Sequence, residues 1–329
     1  MRICKKCVMP DTFPRASFDE NGVCNFCREY EGAAALARAR AAHKKKFLRL
    51  LKSVKGRHSY DIVMCYSGGK DSSYALSLLK REYGLNPLAY TMDNGFVPDR
   101  TYANIRGVCE ALGVDHVMLK PRFDVIRKIF NASLKKSLYA PKTLERASTV
   151  CTSCTGIVKY SAIRLAMEKG IPLVGFGWTP GQSPVTASIL SIPREMLMFM
   201  QESLRKPMLK IAGGSVNAYF PDSGAYRGAA RVPTIVHPLA FVKYNEKRVL
   251  ATVKKLGWKR PRGVEMNATN CLLNPLGDQV HMAKYGYHPY TLEIAALVRQ
   301  GCMTRGEGLR HLPVKKSGKI ISYLKKRLK

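Results

Sequence analysis

The chain has 329 residues, 46% of them hydrophobic, with 55 lysines and arginines against 23 aspartates and glutamates, a formal net charge of +32. That length exceeds one small core and suits a large domain with attachments, or two domains; no apolar run reaches the ~18–20 residues of a membrane span, and "MRICKKCVMP" lacks the apolar stretch and cleavage site of a secretory signal. The basic excess favours a polyanionic partner (RNA, DNA, an anionic membrane surface or phosphorylated substrates) or else only a solubilising surface, while ten cysteines, six of them in tight CxxC pairs, point to metal or redox work in a reducing cytoplasm rather than to a disulfide scaffold.

Residues 1–30 are rich in turns and cysteine. Cys4-x2-Cys7 and Cys24-x2-Cys27 have the spacing of a four-cysteine zinc knuckle, in which four thiolates close a tetrahedral shell and the ion is structural; two redox dithiols are the alternative. Residues 31–57 read as a basic helical linker carrying Arg38, Arg40, Lys44, Lys45, Lys46, Arg49, Lys52, Lys55 and Arg57, the best candidate surface for a polyanion, and otherwise a solvated face. From 58 to 250 short apolar runs alternate with helical patterns: "YDIVMCY", "NPLAYTMDNG", "VDHVMLKP" and "IPLVGFGW" as strands, "SSYALSLLKREYG", "TYANIRGVCEALG" and "GIVKYSAIRLAMEKG" as helices, with "TIVHPLAFV" as a last strand. Such alternation predicts βαβ units and an α/β fold with a doubly wound parallel sheet. Residues 183–232, rich in Met, Pro and Gly, give no clear pattern. A C-terminal extension, 251–329, is mostly helical and ends in a basic tail from Lys315 to Lys329, read as a second polyanion contact or a solvated face.

The strongest chemical signal is Ser67-Gly68-Gly69-Lys70-Asp71-Ser72, set between the first strand and a helix. Two glycines let backbone N–H groups approach an anion, the helix N-terminus adds its dipole, and two serines offer hydroxyls. The loop is neither a Walker A motif nor GxGxxG. It resembles the SGGxDS signature of the PP-loop ATP pyrophosphatases (adenine nucleotide alpha hydrolase-like superfamily). That resemblance implies an enzyme in which the loop holds the pyrophosphate of ATP while AMP passes to a substrate carbonyl or amide oxygen, which a nitrogen or sulfur nucleophile then displaces. Asp71 is a candidate magnesium ligand, since Mg²⁺ favours carboxylate and phosphate oxygens. Asp93, at the end of the second strand, lies where such sheets place ligand contacts, with a turn or helix cap as its ordinary role. Gly177, Thr179 and Gln182 in "GFGWTPGQSP" are further candidates for ATP or substrate, or parts of a plain turn.

The first 90 residues or so, with "CKKCVMPDTFPRASFDENGVCNFC", and the later "VRQGCMTRGEGL", resemble N-acetyl sugar amidotransferases of surface-polysaccharide biosynthesis. Cys151 and Cys154 in "CTSC", together with the remote Cys271, resemble the cysteine pattern of the cluster-bearing tRNA thiolation enzymes of the same superfamily. There, three cysteines hold a 4Fe–4S cluster and leave one iron open. The rival readings of this trio are a disulfide or persulfide relay, a second zinc site, or plain structure. Cys65 and Cys109 read as core, Cys302 as an unassigned fourth-ligand candidate, and His281 and His288 as hydrogen-bonded structural residues or catalysts. The first expectation is therefore sulfur transfer to a tRNA base, with ATP, Mg²⁺, zinc and the cluster as cofactors and a sulfur carrier alongside. The alternative is amidotransfer to a nucleotide-linked sugar with ammonia from a separate glutaminase. A non-catalytic RNA-binding protein with a relic nucleotide site is a third class. A homodimer is compatible with each.

Overall fold

The computed structural model describes residues 2–313 and 318–329. Six strands, β1 (Ile62–Cys65), β2 (Pro87–Met92), β3 (His116–Leu119), β4 (Leu173–Phe176), β5 (Ile189–Leu190) and β6 (Thr234–Val236), form one sheet in the order β3-β2-β1-β4-β6-β5. All neighbouring strands are parallel except β5 and β6. β1 and β2 are buried along their whole length, which is why they read as unbroken apolar runs rather than alternating ones. Their side chains nevertheless alternate between two cores: Val63 and Cys65 face one, Ile62 and Met64 the other. Helices Phe123–Lys135, Thr149–Glu168 and Arg194–Ala212 cover the first face; Gly32–Val54, Lys70–Ser77, Asp99–Leu112 and Glu246–Lys255 cover the second. This is the α/β architecture that the sequence predicts.

Three details depart from the sequence reading. The last expected strand stops at Val236, because Pro238 has no N–H to give a ladder and opens a short 3-10 turn instead. The unpatterned stretch contributes β5, a two-residue antiparallel edge. The basic tail keeps Lys319, Lys325, Lys326 and Lys329 exposed, and it is also anchored: helix Gly318–Leu328 buries Leu324 and Leu328 in the first core. Its end is tied down further, with Arg127 donating to the Lys329 carbonyl, Asn131 to the Leu328 carbonyl, and Arg327 to the Gly95 carbonyl. Lys315 and Lys316 lie outside the described residues.

The two ends of the chain share a third core, in which Val8, Met9 and Phe13 pack with Tyr287, Ile294 and Ala295. Arg305 Nε donates to the carbonyl oxygens of both Cys4 and Cys7, at 2.9 and 3.0 Å. No helix among the described residues is long and apolar enough to cross a membrane.

Candidate active site

The strand order reverses at β1: β2 and β3 lie to one side, β4 and β6 to the other. Doubly wound sheets bind ligands in the crevice outside the carboxyl ends of the strands at such a point. The SGGKDS loop occupies it, leaving β1 and turning into helix Lys70–Ser77. Two glycines are required here for different reasons. Gly68 has φ +72°, and a Cβ on it would meet Ile105 and Thr101 at 2.7 Å. A Cβ on Gly177 would sit 2.6 Å from Ser72 Cα, so the end of β4 lies directly against the loop. Trp258 Nε1 donates to the Gly68 carbonyl at 2.9 Å, and Lys70 N donates to Thr269 Oγ1 at 3.2 Å. Ser67 Oγ and Ser72 Oγ lie 3.1 Å apart. An open cleft of about 240 Å³ runs from this loop past Asn94 and Cys154 to Asn270 and Tyr290.

Lys70 is buried beside the loop, with its ammonium 2.7 Å from Asp71 and 3.3 Å from Glu246. Burial alone would lower its pKa; Asp71, Tyr244 and Glu246 together outweigh that and hold it well above the ordinary lysine range. Tyr244 donates to Asp71 Oδ1 at 2.6 Å, so this carboxylate is braced from two sides. Asp93 is buried, but its Oδ1 accepts from Gly95 N at 2.8 Å. That is the bond of a turn residue, and its neighbour Asn94 is the one that lines the cleft.

Asn94 also joins the cysteines. Its side-chain amide donates to Cys154 Sγ at 3.5 Å and to Cys271 Sγ at 3.6 Å. Cys151, in the first turn of helix Thr149–Glu168, donates to Asn274 Oδ1 at 3.4 Å. The same Asn274 oxygen accepts from Tyr290 OH at 3.1 Å, and Asn274 Nδ2 donates to the buried Asp278 at 2.7 Å. Residues far apart in the chain thus meet beside the phosphate loop. Burial pushes all three thiols up, Cys154 to about 12, so the free thiols hold their protons at neutral pH. Cys154 opens onto the cleft, Cys271 shares its Asn94 amide, and Cys151 is tied to Asn274; a thiol set of this kind is chemically suited to thiolate ligation of an iron–sulfur cluster.

The amino-terminal cysteines form a separate site, with Sγ atoms all within 4.8 Å of one another. Four sulfurs at tetrahedral zinc bond lengths stand about 3.8 Å apart, and the Cys4–Cys27 and Cys7–Cys24 separations are 3.8 and 3.6 Å. Backbone N–H groups of Cys7 and Cys24 point at Cys4 Sγ, and that of Met9 at Cys7 Sγ. Cys24, which shares a proton with it, and the Met9 amide draw the Cys7 thiol down to about 5 against the effect of burial. The donor set fits a closed zinc shell. Among the described residues no other group of metal-ligating side chains is drawn together to this degree.

No family model matches the sequence. An uncharacterized protein of Methanocaldococcus jannaschii is 23% identical over 262 residues, which are 80% of this chain and 76% of that one. Among solved structures, the chain is similar to the U34-tRNA thiolase NcsA of Methanococcus maripaludis with its 4Fe-4S cluster, at 17% identity and a TM-score of 0.37 over 98% of this chain and 97% of that one. It is similar to the NMN synthetase of Francisella tularensis at 14% identity and a TM-score of 0.37, over 84% and 98% of the two chains.

Gln182 borders the cleft, and its Oε1 accepts from Thr179 N at 3.0 Å. Thr179 Oγ1 donates to Glu293 at 2.7 Å, and burial, with Asp71 adding to it, pushes the Glu293 carboxyl up to about 7. His281 and His288 are buried and held near 4, chiefly by burial. His288 lies 3.8 Å from Asp278, behind the cysteine trio, whereas His281 packs against Tyr285 and Tyr287. Cys65 and Cys109 are core residues; Cys302 sits beside Arg40 and Lys243, not with the trio. Lys44, Lys45, Lys46, Arg49 and Lys52 are all exposed on a helix anchored by Phe47, Leu51 and Val54.

Sequence reasoning missed Asn94, Tyr244, Thr269, Tyr290 and Glu293. Asn94 and Thr269 each lie within two residues of a residue singled out on chemistry, Asp93 and Cys271, so adjacency was a usable signal. Tyr244 and Glu293 carry none, because only the fold brings them to the loop.

Proposed function

We propose that the protein adenylates a carbonyl oxygen of a tRNA base with ATP and then replaces that oxygen with sulfur. The observation that carries this reading is the single cleft that SGGKDS, Asn94 and Cys154 line together. A phosphate-binding loop alone would suit many nucleotide enzymes, and a cysteine trio alone would suit storage or structure. Their meeting puts activation and sulfur delivery within one site.

In this reading the backbone N–H groups of Gly68–Ser72 and the Ser67 and Ser72 hydroxyls hold the pyrophosphate at the helix N-terminus. Lys70 adds positive charge, and Asp71 is the magnesium residue. The base oxygen attacks the α-phosphorus, a new P–O bond forms, and pyrophosphate leaves. A sulfur nucleophile then adds to the activated carbon, the C–O bond breaks, and AMP departs with the oxygen. Cys151, Cys154 and Cys271 would hold a 4Fe–4S cluster, oriented through Asn94 and Asn274; when bound, its one iron without a protein ligand supplies a place for exogenous sulfide. Cys4, Cys7, Cys24 and Cys27 would hold a structural zinc ion. The exposed row from Lys44 to Lys52 is the tRNA contact, in keeping with the net charge of +32. By position, residues 1–30 serve as the zinc knuckle, 31–57 as the basic helix, 58–250 as the ATP domain, and 251–329 as the extension that closes the cleft.

The test is product analysis with anaerobically prepared protein, ATP, sulfide and unmodified tRNA. AMP and pyrophosphate should form, and a tRNA nucleoside should gain the mass change of oxygen replaced by sulfur. ADP and phosphate as products would end the reading.

A further inference from the structure

A second cavity, of about 490 Å³, adjoins the ATP cleft and is lined by neither the SGGKDS loop nor the cysteine trio. Helix Thr149–Glu168 is the wall between them. Cys154 and Val158 border the cleft, Thr152, Gly156 and Lys159 border the second cavity, and Thr155 borders both. Trp178 and Gln182 likewise border both, so the two spaces meet beside Cys154.

The chemistry of this cavity is specific. Lys142, Arg146 and Lys159 surround it, and none of the three is among the salt bridges of the described residues. Lys159 is half-buried, and burial lowers its pKa; a cation held out of water without a counter-ion favours an incoming anion. Leu204 and Leu292 supply apolar wall, and Trp178 an aromatic surface fixed by stacking on His237, with ring centroids 4.6 Å apart and planes 10° apart. Glu293 offers a carboxyl at the same wall, pinned by Thr179. Cations without a counter-ion for a phosphate, an aromatic side chain for stacking and a carboxyl for a polar edge are the parts by which proteins take an unstacked nucleotide. The volume lies within the ordinary range of small-molecule sites, roughly 300–1,000 Å³.

We infer that this cavity is the acceptor site, in which a nucleobase packs beside Trp178 and Glu293 while its phosphate binds Lys159 and Arg146. The inference rests on the adenylation reading for the identity of the acceptor. The same nucleotide could come from RNA or from a free nucleotide, and the experiment separates the two.

Uridine 5′-monophosphate is titrated into the full chain by calorimetry, with an unmodified tRNA transcript as competitor. Saturable binding is expected, and Lys159→Ala and Arg146→Ala should each weaken it about tenfold or more, as expected when one charge-assisted hydrogen bond to the phosphate is removed. ATP affinity, measured on the same samples, should stay within about twofold, since neither residue borders the ATP cleft. Absence of uridine monophosphate binding, or binding that both substitutions leave unchanged, overturns the inference. Binding at this site that the tRNA transcript displaces supports an RNA-borne acceptor. Binding that depends on Lys159 and Arg146 but resists tRNA keeps the acceptor site and removes tRNA as the substrate, so the two readings fail separately.

Discussion

Gly177 gives the sharpest test of how the proposed ATP site is built. An alanine there would place its Cβ 2.6 Å from Ser72 Cα, 3.0 Å from Ser72 N and 3.1 Å from Ser72 Cβ. Carbon atoms pack comfortably at about 3.5–4.0 Å, so the shortfall is about 1 Å. The nearest atoms belong to the backbone of the first turn of helix Lys70–Ser77, and no rotamer change can clear them. Either β4 or the phosphate loop must shift. Overpacking of this kind costs about 1–3 kcal/mol. If that strain falls on the loop, ATP affinity drops about 5- to 150-fold, at 1.4 kcal/mol per factor of ten. Gly107→Ala is the control: it is an interior position of helix Asp99–Leu112 with nothing within 4 Å of the added Cβ, and it should stabilise by about 0.5–1 kcal/mol. Urea denaturation and ATP calorimetry on both variants read the two quantities. A Gly177→Ala protein with wild-type midpoint and wild-type ATP affinity would refute the close approach of β4 to the loop.

Cys4→Ala should lose the zinc ion and lower the denaturation midpoint, because the knuckle and the C-terminal helices share one core; metal analysis showing wild-type zinc would count against the four-thiolate shell. Replacing Lys44, Lys45 and Lys46 together by Glu should weaken tRNA binding and flatten its salt dependence by a slope of about 3, one for each phosphate no longer neutralised, and an unchanged slope would move the RNA surface elsewhere. Glu293→Gln tests this half-buried carboxyl. With a folded-state pKa raised from 4.5 to about 7, the native state binds the proton more tightly, so this group's contribution is full below pH 4.5 and is lost as pH rises through 7. The loss is at most about 3–4 kcal/mol. The wild type should therefore lose more stability than Glu293→Gln between pH 5 and pH 8, and parallel pH profiles would show that the carboxyl is not desolvated.

The central sheet was legible because β1, β2 and β4 are buried on both faces and so read as short apolar runs closed by glycine or a turn. The SGGKDS loop was legible because it is six consecutive residues, and the structure puts it between β1 and the helix that follows, where the strand order reverses. The four-cysteine knuckle was legible by its spacing, and its sulfur separations turn out to be those of one tetrahedral ion. Cys271 could be named from the sequence, but its place beside Cys154 depends on Asn94 bonding both sulfurs. The tail's charge was legible and its anchor was not: Leu324 and Leu328 lie four residues apart on one helix face, hidden among exposed lysines. Tyr244, Trp258 and Glu293 were out of reach, since each serves the site through bonds to residues more than 100 positions away.

The cysteine trio decides between sulfur transfer and every other use of this cleft. Protein purified without oxygen should contain iron and sulfide as well as zinc, and should absorb broadly near roughly 400 nm as thiolate-bound iron–sulfur centres do. Cys151→Ala, Cys154→Ala and Cys271→Ala should each lose the iron and the absorbance and keep the zinc. Zinc alone in the wild-type protein, with Cys271→Ala indistinguishable from it, would contradict sulfur transfer at this site.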